Sequence, residues 1–341
     1  MRVAMYYNNN DVRLEDMPIP EISEGELLIK IIASGICGSD VMEWYRIKKA
    51  PLVLGHETTG TIEKVGKGVN GYKKGDKVFV THHVPCYKCN YCKRGEETNC
   101  ELLHKTKYYP GGFSEFLRLP KINIQNFGIF KLPKEVSFEE GTFIEPLACV
   151  VRAQKKANVK KGDTVLVIGT GVSGILHIQT AKANGAKKIF GTARSEHHLN
   201  YAKKFGAIPI NANDNVPEKV RSLNDGKLAD VVIVCAANQS AYNQAISSVA
   251  NGGTLLFYAP ADPGVNLNLD MNEIWKKGIR MMSSYAAAKD DLKKSIELIR
   301  TKKVNVKDMI THRFQLSEAQ KGFQLTAHPQ NSLKVIIEPH K

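Results

Sequence analysis

Four of the seven cysteines lie in one short segment, PCYKCNYCKRGEETNC, with the spacing C-x2-C-x2-C-x7-C. Two-residue spacers let neighbouring thiolates turn onto one centre, and four thiolates suit a closed, tetrahedral zinc site. Bacterial iron–sulfur runs also begin C-x2-C-x2-C, but they continue with a short spacer and a Cys-Pro pair, which this segment lacks. We therefore predict a structural zinc lobe at 84–102, with an iron–sulfur cluster and four free thiols as the alternatives. Its ligands are Cys86, Cys89, Cys92 and Cys100.

A second set of metal-binding residue types is spread over three separated segments. Cys37 lies in GICGSD, His56 and Glu57 are adjacent in GHE, and Glu145 lies in the otherwise apolar stretch IEPLAC. A cysteine, a histidine and a carboxylate that leave one position open are typical of a catalytic zinc site. A carboxylate in an apolar stretch is costly unless it meets a cation, so Glu145 is a further candidate. Together with the lobe, these residues predict two zinc ions per chain.

The second half of the chain carries a nucleotide-binding pattern. From about residue 155, short β-branched runs alternate with helical segments, which predicts βαβ units and a parallel sheet. The run TVLVIGTGVSG places a G-x-G-x-x-G motif between a strand and a helix, the context that makes the motif specific for dinucleotides. Its glycines allow a tight turn, and the N–H groups of the helix N-terminus bind pyrophosphate. The predicted contacts are Gly169, Gly171, Val172, Ser173 and Gly174.

The next strand predicts which dinucleotide binds. NAD-binding chains place an acidic residue about 20 residues past the motif, where it binds the ribose hydroxyls. Here the positions are Thr192, Ala193, Arg194 and Ser195, so no carboxylate repels a 2′-phosphate, and a guanidinium and hydroxyls are present to bind one. We expect NADP(H) in preference to NAD(H). Residues at the ends of two later strands should also border the cofactor: Cys235, Ala236, Tyr258, Ala259 and Pro260.

Length and composition indicate what kind of chain holds these residues. A chain of 341 residues, 43% hydrophobic and 24% charged, is typical of a globular protein of about two domains. No apolar run reaches the roughly 18 residues of a membrane span, and the N-terminus lacks a secretory signal pattern, so we expect a cytoplasmic protein without a membrane partner. The net charge of +14 comes largely from scattered lysine pairs, which indicates a solvated surface. A nucleic-acid-binding zinc protein would leave the other motifs unexplained, so no nucleic-acid partner is expected.

Together, GICGSD, GHE, the four-cysteine lobe, IEPLAC and VIGTGVSG resemble the zinc-dependent medium-chain alcohol dehydrogenases over nearly the whole chain, most of all the sorbitol or iditol 2-dehydrogenase branch. The resemblance implies an α/β protein with a mostly-β, GroES-like catalytic domain at 1–150 and 287–341. A Rossmann domain with a doubly wound parallel sheet is implied at 151–286, as is a homodimer or homotetramer.

The resemblance also implies roles for single residues. It makes Ser39 the hydroxyl that takes the proton of the substrate alcohol, although a serine at this position also suits a helix N-cap. It makes Glu145 either a fourth zinc ligand or a hydrogen-bond partner of the zinc water. Ser284 is added to the expected cofactor contacts.

Three departures from the sorbitol dehydrogenase pattern bear on the substrate. Met42 stands where a relay histidine is common, and Glu43 and Trp44 replace a substrate-facing tyrosine. Ser284 stands where an arginine helps to hold the polyol. We predict a zinc-dependent oxidoreductase that transfers a hydride between a secondary alcohol, a polyol or cyclitol, and NADP(H), giving the ketone. The alternatives are a simple alcohol dehydrogenase or aldehyde reductase, and an NAD-dependent, sorbitol-type dehydrogenase.

Overall fold

The computed structural model of the protein describes all 341 residues. Its strands are β1 Arg2–Asn8, β2 Asp11–Asp16, β3 Leu27–Gly35, β4 Leu52–Val53, β5 Glu57–Val65, β6 Lys77–Val80, β7 Phe116–Leu119, β8 Ile129–Lys131, β9 Thr164–Ile168, β10 Lys188–Ala193, β11 Ile208–Asn211, β12 Ala229–Val234, β13 Val249–Phe257, β14 Arg280–Ser283, β15 Ile310–Phe314 and β16 Lys334–Ile337.

The helices are mostly short in the first half of the chain and longer in the second. They are α1 Glu43–Arg46, α2 Asn90–Lys93, α3 Glu101–Lys105, α4 Lys121–Gln125, α5 Phe138–Gly141, α6 Ile144–Lys156, α7 Val172–Ala183, α8 Glu196–Lys204, α9 Val216–Leu223, α10 Gln239–Ser248, α11 Met271–Lys277, α12 Lys289–Arg300 and α13 Ala319–Ala327. None of them is long and apolar enough to cross a membrane.

The chain folds into two compact units, one made of Met1–Ala148 with Ala287–Lys341 and the other of Cys149–Ala286. In the first unit, seven strands form one sheet in the order β15-β16-β3-β5-β6-β8, with β7 paired to β3. Alternate residues of β3 (Leu27, Ile29 and Ile31) are fully buried in one apolar cluster, as the two-residue period of a strand requires. A second, three-stranded sheet has the order β2-β1-β4.

Strand register in the first unit brings distant segments together. β3 lies between β5 and β16, and both pairings are antiparallel. Gly35, at the end of β3, faces Glu57 on one side and Ile336 on the other. The GICGSD loop that follows β3 therefore lies beside the start of β5 and beside the last strand of the chain.

The second unit is a parallel sheet of order β11-β10-β9-β12-β13-β14. In chain order this is 3-2-1-4-5-6, the order of a Rossmann fold. All five residues of β9, TVLVI, are buried, as expected for a central strand covered on both faces. The predicted fold class, a GroES-like domain combined with a Rossmann domain, is confirmed.

Candidate active site

Cys37, His56 and Glu57 meet in the first unit. One potential ligand atom from each lies within 4.8 Å of those of the other two. Cys37 directly precedes the short 3₁₀ helix Gly38–Val41, and His56 and Glu57 lie where β5 begins. The antiparallel register of β3 and β5 therefore assembles three of the predicted catalytic-zinc residues from two segments.

Asp40 fixes the imidazole of His56. The Asp40 carboxylate is fully buried, lies 3.3 Å from His56 Nδ1 and accepts a 3.0 Å hydrogen bond from the Cys37 backbone N–H. Burial disfavours charge on His56, but the neighbouring Asp40 and Cys37 outweigh burial and raise the pKa of His56 well above 6.5. In zinc proteins, a ligating histidine usually donates one ring N–H to a carboxylate, which turns its other ring nitrogen towards the metal, and Asp40 contacts Nδ1 of His56 in this way. The donor set and its support thus fit a zinc ion.

Glu57 is held from the opposite side by Lys334, which comes from β16. The two side chains form an ion pair, each is only 1% exposed, and Lys334 Nζ also donates a 3.1 Å hydrogen bond to the Ile36 carbonyl. Gly35 lies against both side chains, and a Cβ at that position would collide with them. One carboxylate oxygen of Glu57 is therefore occupied by Lys334, which leaves the other for a metal.

The remaining two predicted catalytic residues lie nearby. Ser39 Oγ donates a 3.4 Å hydrogen bond to Cys37 Sγ. Glu145 lies in the first turn of α6. Burial and, to a smaller extent, the negative charge of Glu145 raise the pKa of Tyr108. The Tyr108 hydroxyl donates a hydrogen bond to the carbonyl of Gly55, the residue before His56. The Glu145 carboxylate is not among the atoms grouped around Cys37 and His56.

The four cysteines of the lobe also converge, with their sulfur atoms all within 4.8 Å of one another. The backbone N–H groups of Lys88 and Cys89 donate to Cys86 Sγ and lower the pKa of that thiol to about 6. Burial and the neighbouring thiols raise the pKa of Cys92. Four thiolates can coexist in this volume only with a cation among them, so the lobe fits zinc.

The glycine motif of the second unit has the shape that a dinucleotide needs. Gly169 follows β9 with φ +90°, and a Cβ there would press on Ala236 and the Cys235 carbonyl carbon. A Cβ on Gly174 would collide with the Gly169 carbonyl oxygen, so the helix packs directly on the loop. Gly171 is the N-cap of α7, and a Cβ there would point into open space. The glycine loop and the N-terminus of α7 thus leave room for a phosphate. Val172 and Ser173, in the first turn of that helix, lie next to this space.

The four residues predicted to select NADP(H) differ in exposure. Thr192 is buried and its hydroxyl has no hydrogen-bond partner within the protein. Ala193 is half-buried, whereas Arg194 and Ser195 are exposed. The Ser195 hydroxyl lies 2.8 Å from His198 Nδ1 and caps α8. Arg194 is therefore the one exposed cation among the four.

The other residues predicted to border the cofactor all follow strands β12, β13 or β14 at the carboxyl edge of the sheet. The Cys235 N–H donates to the Ile168 carbonyl, and burial raises the pKa of the Cys235 thiol, which stays protonated. The Ser284 hydroxyl is buried without a hydrogen-bond partner within the protein. These residues are Cys235, Ala236, Tyr258, Ala259, Pro260 and Ser284.

Sequence reasoning missed three residues of this site: Asp40, Arg46 and Lys334. Asp40 belongs to the quoted GICGSD motif and comes three residues after Cys37, so its position was available as a signal. Arg46 follows the motif by several residues, and Lys334 is 277 residues from its partner in sequence. No pattern in the sequence marks either of them.

Family models match both halves of the chain: an alcohol dehydrogenase GroES-like domain at residues 23–134 and a zinc-binding dehydrogenase domain at 173–301. The chain is 35% identical to the sorbitol dehydrogenase of Mus musculus over 341 residues, covering 96% of this chain and 93% of the relative. The chain belongs to the zinc-dependent medium-chain alcohol dehydrogenase family. The predicted enzyme class, a zinc-dependent alcohol or polyol dehydrogenase, is confirmed.

Two further relatives agree with this membership. The chain is 34% identical over 331 residues to a protein named probable D-xylulose reductase A from Aspergillus clavatus, covering 92% of this chain and 90% of that one. The solved structure of the alcohol dehydrogenase TADH from Thermus sp. ATN1 superimposes with a TM-score of 0.87 at 27% identity, over the full length of both chains. The family resemblance of the sequence, including its sorbitol branch, is confirmed.

Proposed function

We propose that the protein catalyses the reversible oxidation of a secondary alcohol of a polyol or cyclitol to the ketone, with NADP(H) as the hydride carrier. The observation that carries this proposal is the meeting of Cys37, His56 and Glu57 beside Ser39. Two relatives are named for polyols or ketoses, which supports a substrate of that class.

Cys37 and His56 would hold the catalytic zinc, with Glu57 as the third ligand and Glu145 either as a fourth ligand or as a hydrogen-bond partner of the zinc water. A zinc ion there supplies Lewis acidity, which makes the hydroxyl proton of a nearby alcohol easier to remove. Asp40 keeps His56 in the tautomer that binds metal through Nε2. Ser39 Oγ, beside Cys37, accepts the hydroxyl proton of the substrate.

The nicotinamide ring supplies the acceptor for the hydride that leaves the carbinol carbon. The protein holds the dinucleotide through Gly169, Gly171 and Gly174, where small residues let the pyrophosphate approach the backbone and the N-terminus of α7. Cys86 and its three partner cysteines would hold a second zinc ion with a structural role, since all four positions of a tetrahedron are filled by protein.

The preference for NADP(H) rests on residues 192–195, which contain no carboxylate and one exposed guanidinium, that of Arg194. Glu196 follows in the first turn of α8, where it acts against an added phosphate. We weigh Arg194 more heavily because a guanidinium binds phosphate through paired, charge-assisted hydrogen bonds. As for partners, we propose a homodimer or homotetramer that acts on a small alcohol or ketone and binds neither nucleic acid nor membrane.

Nicotinamide fluorescence tests the cofactor assignment. The zinc-replete protein is titrated with NADPH and NADH, and then assayed with polyols, cyclitols, simple alcohols and their carbonyl products. We expect tighter binding of NADPH, and about a tenfold or greater loss of NADPH affinity in Arg194→Gln with NADH affinity unchanged. Arg221→Gln, which removes another exposed arginine of the same unit, is the matched control.

The possible results separate the parts of the proposal. Tighter binding of NADH would contradict the cofactor assignment and leave the dehydrogenase intact. Faster turnover of small aldehydes than of ketoses would favour the aldehyde reductase. Binding of neither nucleotide would contradict the whole proposal.

A further inference from the structure

Arg46 contacts the proposed proton acceptor. It ends α1, seven residues after Ser39, and only 15% of its side chain is exposed. Arg46 Nε donates a 2.8 Å hydrogen bond to the Ser39 carbonyl, and Nη2 donates a 3.3 Å hydrogen bond to Ser39 Oγ. The guanidinium thus binds both the backbone and the hydroxyl of one residue.

Further contacts fix the guanidinium in place. Nη2 lies 3.5 Å from the buried carboxylate of Asp40, the same group that orients His56. On its outer side, the guanidinium carbon lies 4.8 Å from the centre of the Tyr45 ring, a cation–π contact. An arginine held by a carboxylate, a carbonyl and an aromatic ring has little rotamer freedom, so its hydrogen bond to Ser39 Oγ has a defined direction.

The hydrogen bonds of Ser39 define what its hydroxyl can still do. A serine hydroxyl has one donor and two acceptor positions. Arg46 Nη2 occupies one acceptor position, and the hydroxyl proton points to Cys37 Sγ. One acceptor position is left, and it can receive only a donor such as the O–H of an alcohol.

We propose that Arg46 is a positioning residue for proton removal: it orients Ser39 Oγ so that the free acceptor position faces the substrate hydroxyl. The inference rests on the proposed function and deepens it, because it assigns a residue that directs Ser39 in the proton-removal step. The charge-assisted hydrogen bond from the guanidinium also holds Oγ in this orientation.

The proton balance is simple. The substrate O–H bond breaks and its proton passes to Ser39 Oγ. The original hydroxyl proton of Ser39 leaves its hydrogen bond to Cys37 Sγ and passes to a solvent water molecule, so that Ser39 ends as it began. The carbinol carbon loses its hydride to the oxidised nicotinamide, and the products are the ketone, the reduced dinucleotide and a proton in solution. Arg46 keeps all its protons throughout.

A double-mutant cycle of Arg46→Met and Ser39→Ala tests this inference. Turnover of the wild type is measured first, and the cycle is then run with the alcohol that reacts fastest. We expect Arg46→Met to lower kcat by about 30-fold with KM changed less than about threefold. General acid–base groups raise the rate by about 10²–10⁴-fold, and a residue that only orients such a group should account for part of that factor. In the Ser39→Ala background, Arg46→Met should lower kcat by less than about threefold. Arg46→Lys should recover part of the lost rate.

Two controls separate positioning from general structural support. Lys49→Met removes a neighbouring cation that contacts the Tyr45 ring and makes no hydrogen bond to Ser39, and it should leave kcat unchanged. The visible absorption of the cobalt-substituted protein reports on the metal ligands, and Arg46→Met should keep the wild-type spectrum.

Each other result overturns the inference. Additive effects of Arg46→Met and Ser39→Ala in an active enzyme would show that Arg46 does not act through Ser39. A changed cobalt spectrum would mean that Arg46 supports the metal ligands instead. A rise in KM confined to phosphorylated polyols would make Arg46 an anion-binding residue. A wild type without turnover on any alcohol would overturn the proposed function together with the inference.

Discussion

The buried ion pair between Lys334 and Glu57 predicts a large, specific loss of stability in Lys334→Met. Both side chains are 1% exposed, and Gly35 packs closely against them, so the pair is shielded from solvent. Removing one partner of a buried pair leaves an uncompensated charge, which costs about 3–5 kcal/mol. The substitution also removes the donor to the Ile36 carbonyl. We therefore expect the free energy of unfolding of the first unit to fall by at least about 3 kcal/mol.

Urea unfolding of the zinc-free protein, combined with native-state hydrogen exchange, measures this loss and locates it, because a zinc ion bound to Glu57 would offset the charge that Lys334 leaves unpaired. Amides of β5 and β16 should lose protection in Lys334→Met, while those of the second unit keep it. The exposed pair Lys74–Glu63, with an N–O distance of 2.7 Å, provides the matched control. Lys74→Met makes the same chemical change at the surface and should cost less than about 1 kcal/mol.

The double variant Glu57→Gln/Lys334→Met isolates the charge from the packing. With both charges gone, a large part of the stability should return, since no carboxylate is left buried alone. In the zinc-free protein, a loss of less than about 1 kcal/mol in Lys334→Met would refute the reasoning, because a carboxylate that tolerates the loss of its partner without a metal is not isolated from water. A double variant that loses the sum of the single effects would also refute it.

Four further substitutions give testable predictions. Burial lowers the pKa of His177 from 6.5 in the unfolded chain to about 3 in the folded protein. Neutral His177 therefore costs no stability above pH 6.5, but as the pH falls from 6.5 towards 3 the free energy of unfolding drops by about 1.4 kcal/mol per pH unit, because only the unfolded chain takes up the proton. In His177→Leu, the urea midpoint should depend less on pH over that range. Cys92→Ser should lose the zinc ion of the four-cysteine lobe, which elemental analysis would show as one ion per chain instead of two, and its thermal midpoint of unfolding should fall. Cys37→Ser should lose the other zinc ion and all turnover. Gly169→Ala, which places a methyl group at φ +90° against Ala236, should weaken dinucleotide binding by about tenfold or more in the fluorescence titration without loss of zinc.

The features that the sequence predicted well are those set by short-range spacing. The four-cysteine lobe needs only one segment, because the two-residue spacers between Cys86, Cys89 and Cys92 already bring the thiols onto one side. The G-x-G-x-x-G motif is equally local, since Gly169 directly follows strand β9 and Gly174 packs against the Gly169 carbonyl oxygen. Cys37 and His56 lie in separate segments, so spacing alone does not join them. They were paired because a cysteine, a histidine and a carboxylate are the usual ligands of a catalytic zinc site.

The features that sequence reasoning missed depend on strand register and on side-chain direction. Lys334 reaches Glu57 because β16 and β5 flank β3, and no spacing rule links residues 277 positions apart. Arg46 is close to Ser39 in sequence, but its guanidinium returns to Ser39 only because a 3₁₀ turn and one turn of helix reverse the chain. The sequence also did not predict that the Ser195 hydroxyl lies in hydrogen-bond distance of the His198 ring and caps the N-terminus of α8.

The missed residues matter for the charge of the catalytic site. Asp40, which lies beside His56, and Glu57, the proposed third ligand, are both buried carboxylates. Each has its own cation: Arg46 lies 3.5 Å from Asp40, and Lys334 is paired with Glu57. With these two charges balanced, the Cys37 thiolate and the Glu145 carboxylate would be the anions left to offset a Zn²⁺ ion, and His56 would bind as a neutral ligand. A zinc ion that keeps a net positive charge is a stronger Lewis acid than one surrounded by unpaired carboxylates. Arg46 and Lys334 would therefore do more than stabilise the fold, because they would keep two buried carboxylates from lowering the Lewis acidity of a zinc ion held by Cys37 and His56.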